Sequence, residues 1–263
     1  MHSQINFGYP WLINYGHLIL GMVFALIFGS GWYFGWNKFV LAFLGIIAAW
    51  ALSAGVMVRF GFDMNGRATM PTDAFLRSGS GRVLDMGAGT GRSTLMVLES
   101  RPKTTVVALD LFGESYEEHF GKSDGEKSTV DQGRAALMRN LQAAGVEQRV
   151  TIQPGDMRHM PVESGAFDGV VSAYAIDHLS PDDSLQAIHE ANRALKPNGE
   201  FLLMVIAKDA FLSYTFGPLM MHAHMAARDF WSQRLRDAGF EIVEEGHKPA
   251  TKYILARKTA AAL

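Results

Sequence analysis

The stretch Val83-Leu84-Asp85-Met86-Gly87-Ala88-Gly89-Thr90-Gly91-Arg92 limits the possible folds more than any other part of the chain. Residues 82–86 read as a β-strand, three glycines follow at alternate positions, and Thr94-Leu95-Met96-Val97-Leu98 then suits a helix. A strand, a tight turn and a helix in that order begin a βαβ unit, so a parallel sheet is expected. Glycines in such a turn let the backbone pass close to a ligand. Their spacing narrows the choice of ligand. A dinucleotide turn carries glycine at its first, third and sixth positions. Here the sixth position from Gly87 is Arg92, while the fifth is Gly91, and Asp85 stands two residues before the first glycine.

Val106-Val107-Ala108-Leu109-Asp110 reads as the next strand and ends in an acid nineteen residues after Gly91. An acid there can accept both hydroxyls of a ribose. The glycine turn, the spaced acid and the order of elements downstream together resemble class I S-adenosylmethionine-dependent methyltransferases, over residues 82–258. The resemblance implies a Rossmann-like α/β sheet of seven strands, the last pair antiparallel, with S-adenosylmethionine as methyl donor. It assigns Asp85, Gly87, Ala88, Gly89 and Gly91 to the donor's amino-acid end and to the shape of the loop. Asp110, with Leu111 beside it, takes the ribose. Pro154-Gly155-Asp156-Met157-Arg158, after a third strand at residues 149–153, matches the family's third signature, in which Asp156 meets the adenine amine and Met157 packs beside the ring. Asp156 equally suits a helix N-cap.

Residues 167–174 form a fourth strand and its mouth. Ligands of such sheets bind beyond the carboxyl ends of the strands, so residues 172–178 are where an acceptor should meet the methyl group. Ser172 joins the donor-binding set there. Relatives that methylate exocyclic amines of bases carry an Asn/Asp-Pro-Pro-aromatic run at this point, and Ser-Ala-Tyr-Ala stands here instead, which argues against a nucleobase acceptor. His178 and Tyr174 are catalytic candidates. An imidazole titrates near working pH, although His178 also suits a structural cap. His119, with Tyr116, belongs to an acidic insertion at residues 111–129 that is either a solvated loop or an active-site cover.

A helix is expected at residues 131–144, ended by Gly145, and another from Pro181 to near Lys196. A fifth strand follows at residues 200–206, a last helix at 227–238, and two strands at 240–245 and 253–257. Residues 208–225 are long and apolar for a loop, suiting either an acceptor-pocket wall or a membrane-dipping element. His222 and His224 are two apart and share no helical face, so no metal site is expected.

The first 58 residues are different in kind. From Trp11 to Trp36 there is no Asp, Glu, Lys or Arg, and residues 39–58 repeat the pattern after Asn37-Lys38. Each run reaches the ~20 residues that span a hydrocarbon core. The reading is a transmembrane helical hairpin (1–58), a connector and candidate lid (59–81) and the methyltransferase domain (82–263). A buried hairpin in a soluble protein is the alternative. Gly21, Ala25 and Gly29, and Ala51 and Gly55, recur every four residues, so the helices can approach one another closely or form a homodimer. Arg59, Arg67 and Arg77 after the second helix, against Lys38 in the loop, favour a catalytic domain and both termini in the cytoplasm. Residues 67–75 are a lid or an amphipathic collar at the membrane surface. A net charge of −2, a pI near 6.5 and no cysteine exclude a general nucleic-acid surface, disulfides and a thiolate nucleophile. The expected partners are the bilayer and a small lipophilic acceptor or a membrane lipid.

Overall fold

The computed structural model describes residues 5–112, 130–217 and 229–259. Packing divides the chain into two units: a sheet unit that includes residues 5–7, and a helical unit made of Gly8–Gly66 and the segment from Lys208.

The sheet unit contains β1 (Ser80–Met86), β2 (Lys103–Asp110), β3 (Val150–Pro154), β4 (Phe167–Ala173), β5 (Leu195–Ile206), β6 (Phe240–Lys248) and β7 (Thr251–Lys258). They form one sheet in the order β3-β2-β1-β4-β5-β7-β6. The first five are parallel, and β7 runs antiparallel to both neighbours. The order reverses between β1 and β4. That switch point opens a crevice at the carboxyl ends of these two strands.

Strands buried on both faces read as apolar runs rather than alternations, and β5 shows why. Phe201, Leu203 and Val205 enter one core, while Leu202 and Met204 enter the other. The first core is closed by the helices Pro181–Ala194 and Phe230–Asp237, through Ile188, Ala191, Trp231 and Leu235. The second is closed by α3 (Arg92–Ser100), through Met96, Val97 and Leu98. Gly145 (φ +67) and Gly239 (φ +84) end the helices before them in the left-handed conformation expected of a C-cap glycine. The fifth strand starts earlier than expected, because Leu195 already pairs with Phe167. Residues 196–199, including Asn198 at φ +63, then bulge before Glu200 pairs with Gly169.

The second core also takes in part of the connector. Residues 68–76 pack on the α3 face through Ala68, Met70, Ala74, Phe75 and Leu76. Phe75 is fully buried under Gly169, where a Cβ would meet its ring at 2.8 Å. Arg101 holds the carbonyls of Phe75 and Asp73 at 2.7 and 3.1 Å, and Leu76 N donates to Glu200 at 2.7 Å. Gly169, Arg101 and Glu200 stand near the amino ends of the strands, opposite the crevice. Burying one phenylalanine contributes about 2–3 kcal/mol, so this stretch helps to hold the second core together.

In the helical unit, α1 (Trp11–Tyr33) and α2 (Lys38–Gly61) form a hairpin. A Cβ on Gly21 would meet Leu52 N at 2.8 Å, and one on Gly55 would meet Leu18 N at 2.8 Å. Those two glycines therefore set the close approach. Ala25 and Gly29 are exposed, so the four-residue repeat on α1 is not one seam: only Gly21 lies at the hairpin contact. A short helix, Ala210–Phe216, docks on this pair. His17 Nε2 lies 2.8 Å from Thr215 O, Trp50 Nε1 donates to Tyr214 O at 3.0 Å, and Ser53 Oγ meets the Tyr214 hydroxyl at 2.6 Å. Orphan carbonyls of a helix's last turn thus find donors on the apolar helices. This half of the 208–225 segment joins α1 and α2, and residues 218–225 lie outside the described residues.

Candidate donor and acceptor site

The crevice begins with the three glycines, each at positive φ: Gly87 at +81, Gly89 at +51 and Gly91 at +94. A side chain is costly in that region, and the surroundings separate their roles. A Cβ on Gly87 would run into Ala175 and lie 3.1 Å from Met157 Cε, and one on Gly91 would strike Leu137. One on Gly89 would meet nothing within 4 Å. Gly87 and Gly91 are packing glycines, and Gly89 faces open space. Ala88 is buried, its amide donating to Leu109 O at 3.0 Å.

Alternation along β1 puts Asp85 on the α3 face with Val83. It is fully buried, and its carboxylate accepts the Ser93 hydroxyl at 2.9 and 2.8 Å and the Thr94 hydroxyl at 2.5 Å. Burial pushes the carboxyl up to about 6, against the pull of those two hydroxyls. Asp85 clamps the first turn of α3 to β1 and reaches no open surface, so it serves the loop's shape rather than the ligand directly.

Asp110 closes the turn from the other side. Its Oδ2 accepts the Gly89 amide at 2.8 Å, and the amides of Leu111 and Phe112 also donate to the carboxylate. Burial nevertheless raises its pKa. After β3, Gly155 N donates to Asp110 O at 2.9 Å. Asp156 then folds into an Asx turn, accepting Arg158 N at 2.8 Å and the Arg158 guanidinium at 3.0 Å and 2.6 Å. That clasp raises the Arg158 pKa, with a further contribution from Asp183, 3.4 Å from Nη1. The two functions read for Asp156, cap and adenine contact, thus draw on one carboxylate already engaged by a guanidinium.

At the mouth of β4, Ser172 is fully buried on the Val170 face, and its Oγ has no partner among the described residues. Tyr174 holds φ +56 and turns the other way, packing on the α3 face with its hydroxyl 2.6 Å from Thr251 Oγ1. A non-glycine residue there stores about 1–3 kcal/mol of strain. A 3₁₀ turn, Ile176–His178, follows. His178 is exposed. His119 lies outside the described residues.

Asp177 was not singled out from sequence. One oxygen accepts Ile206 N at 3.1 Å, at the carboxyl end of β5, and the other is buried without a partner among the described residues. Burial raises its pKa, opposed by the Ile206 amide and the His178 charge. The only sequence signal was a carboxylate just beyond a strand's carboxyl end. Among the described residues no group of three or more His, Asp or Glu could hold a metal.

The crevice suits S-adenosylmethionine: glycine backbone facing open space, the Asp110 carboxylate at the carboxyl end of β2, and an acid and a methionine beside them. On a sheet of this order ending in an antiparallel pair, that arrangement is similar to class I S-adenosylmethionine-dependent methyltransferases over residues 82–258. Residues 84–203 match the family described as a methyltransferase domain.

Two curated relatives and one solved structure illustrate the likeness. The ubiquinone/menaquinone biosynthesis C-methyltransferase UbiE of Syntrophotalea carbinolica is 26% identical over 148 residues, covering 56% of this chain and 53% of that protein. A malonyl-[acyl-carrier protein] O-methyltransferase of Geobacter sulfurreducens is 28% identical over 130 residues, covering 49% of this chain and 40% of that protein. The chain thus spans about half the length of these relatives. An O-methyltransferase family protein from Burkholderia thailandensis superposes with a TM-score of 0.55 at 15% identity, over 83% of this chain and 61% of that one, which shows the shared fold.

Proposed function

We propose that the protein is a membrane-anchored methyltransferase that moves the methyl group of S-adenosylmethionine to a small lipophilic acceptor such as a thiol or sulfide. The observation that carries this reading is the apolar surface of the hairpin. Leu26, Phe39, Phe43 and Ile46 are 62–75% exposed, and both helices are long and apolar enough to cross a membrane. Monomeric soluble proteins rarely expose so large a patch. The docked helix Ala210–Phe216 adds Tyr214 and Phe211 to that unit. These features support a transmembrane hairpin at residues 1–58 with a cytoplasmic catalytic domain as the reading, and a lipophilic acceptor would be concentrated where the enzyme is held.

When bound, the donor supplies an activated methyl on a sulfonium. The chain's own residues do the rest. Gly89 and Asp110 position the amino-acid and ribose portions, and Asp156 and Met157 flank the adenine. The 176–178 turn lies on the acceptor side, and Ser172 stays with the donor-binding set. The unpartnered oxygen of Asp177, with His178 beside it, is placed to take a proton from the acceptor, with Tyr174 held nearby by Thr251.

A second reading, methylation of a quinone precursor or membrane lipid, draws support from the relative named as acting in quinone biosynthesis. The relatives differ in the atom their names say they methylate, carbon in one and oxygen in another, so they do not choose. The test gives detergent-purified protein labelled S-adenosylmethionine with separate pools of alkyl thiol, quinone precursor and membrane lipid. Label in a volatile thioether supports the first reading, and label in the quinone or lipid fraction replaces it with the second. Donor binding without transfer to any pool would leave a membrane-tethered binding module, and absence of donor binding would overturn all three.

A further inference from the structure

A turn built from three left-handed glycines has little stiffness of its own, since glycine loses more conformational freedom on ordering than any other residue. A ligand that binds such a turn must supply that ordering unless the protein has already done so. The turn here is supported on both sides of Thr90. On one side Asp110 holds Gly89 N. On the other, the support comes from the chain's own beginning.

Asn140, on the helix Val130–Ala144, is 3% exposed and spends its whole amide on two strands of chain. Its Oδ1 accepts Asn6 N at 2.9 Å, and its Nδ2 donates to Asn6 O and to Thr90 O, both at 2.9 Å. The Thr90 hydroxyl reaches back to Phe7 O at 3.0 Å. Phe7 is itself 4% exposed, although it precedes the first apolar helix by only a few residues. Residues 5–7 are therefore tied to the glycine turn directly through the Thr90 hydroxyl and, by way of Asn140, through the Thr90 carbonyl.

We infer that Asn140 is a positioning residue for the methyl donor: through residues 5–7 and the Thr90 carbonyl it orders the glycine turn before the donor arrives. This rests on the assignment of the turn to S-adenosylmethionine. Only a primary amide, that of Asn or Gln, matches the demand, because one side chain must present an acceptor to an amide and two donors to carbonyls. The bonds that Asn6 makes to Asn140 are made by its backbone.

The test uses the full-length protein in detergent and isothermal titration with S-adenosylmethionine. Asn140→Ala removes the whole bridge. Asn6→Pro removes the amide that donates to Asn140, fixes φ at that position, and leaves Asn140 and the turn in place. Both variants are expected to bind the donor about tenfold more weakly, and the double variant no more weakly than the poorer single one. Exchange of the Asn6 amide should slow when the donor is added to the wild type. The unfolding midpoint of donor-free Asn6→Pro should stay near wild type, which separates positioning from loss of structure. If Asn140→Ala does not fold, Asn6→Pro decides alone. Binding by Asn6→Pro within twofold of wild type overturns the inference, as does an Asn6 amide whose exchange ignores the donor. A wild-type protein that binds no donor overturns the turn's assignment along with it, and the wild-type titration tells that failure apart.

Discussion

The sharpest prediction sets two neighbouring glycines against each other. In Gly87→Ala the new methyl must sit at φ +81 and enter space held by Ala175 and the Met157 methyl. The left-handed backbone costs ~1–2 kcal/mol, and forcing an atom into a packed region adds about 1–3 kcal/mol. At roughly 2–4 °C per kcal/mol for a domain of this size, the unfolding midpoint should drop by on the order of 5–15 °C. Gly89 sits at φ +51, inside the allowed left-handed region, and its methyl would meet nothing. Its substitution to Ala should cost ~1 kcal/mol and about 2–4 °C. The methyl then occupies the space assigned to the donor, so affinity for S-adenosylmethionine should fall by at least about tenfold, roughly 1.4 kcal/mol. The assay is thermal unfolding at one fixed scan rate without donor, followed by titration with donor. Equal destabilisation by the two variants, or full donor affinity in Gly89→Ala, would refute the division of labour described for this turn.

Asp85 should make stability depend on pH in the sense opposite to most carboxylates. Its folded pKa is raised, from 3.8 to about 6, so the folded state holds its proton more tightly. Stability is then fully present below the unfolded value and lost as pH rises through about 6, by ~3 kcal/mol. Asp85→Asn, neutral throughout, should gain on wild type by that amount between pH 4 and 7 in denaturant titrations; a constant difference refutes it. Asp177→Asn should lower turnover about 100-fold or more with donor affinity kept. The wild type's acid limb should lie above the ordinary carboxylate range, because burial raises this group, and it should vanish in the variant. Unchanged turnover at every pH would remove Asp177 from the chemistry. Trp50→Phe with Ser53→Ala deletes both bonds to Tyr214, at ~1 kcal/mol each. Protease cleavage after Lys208 should then quicken in detergent while donor affinity stays the same, and an unchanged cleavage rate counts against the docking.

What could be read from sequence was whatever chemistry forces on a single residue type or a fixed spacing. Only glycine suits Gly87 and Gly91, so the turn was legible in the residues themselves, while the antiparallel end came from the resemblance to class I methyltransferases. Long-range partnerships were not. Nothing local marks Phe75 as the cover of Gly169, and its apolar neighbours read as well for a lid. The clasp of Asp156 by Arg158 is only two residues long, yet it depends on the chain turning there. Asp177 looked like one loop acid among several until Ile206 N took one of its oxygens and left the other alone. The Gly21–Ala25–Gly29 spacing signalled close packing without saying which of the three faces the partner helix.

The last strand in the chain, β7, is not the last in the sheet: it lies between β5 and β6. During synthesis, β1 to β5 can pair as they emerge, but the outer edge of β5 stays open until residues 251–258 have left the ribosome and pushed in beside it. A product stopped after β6 would carry an unpaired edge flanked by Phe201, Leu202 and Leu203, an invitation to join another chain's sheet. Loss of β7 should therefore act as a folding lesion that marks the nascent protein for removal, even though its residues are remote from the glycine turn in sequence.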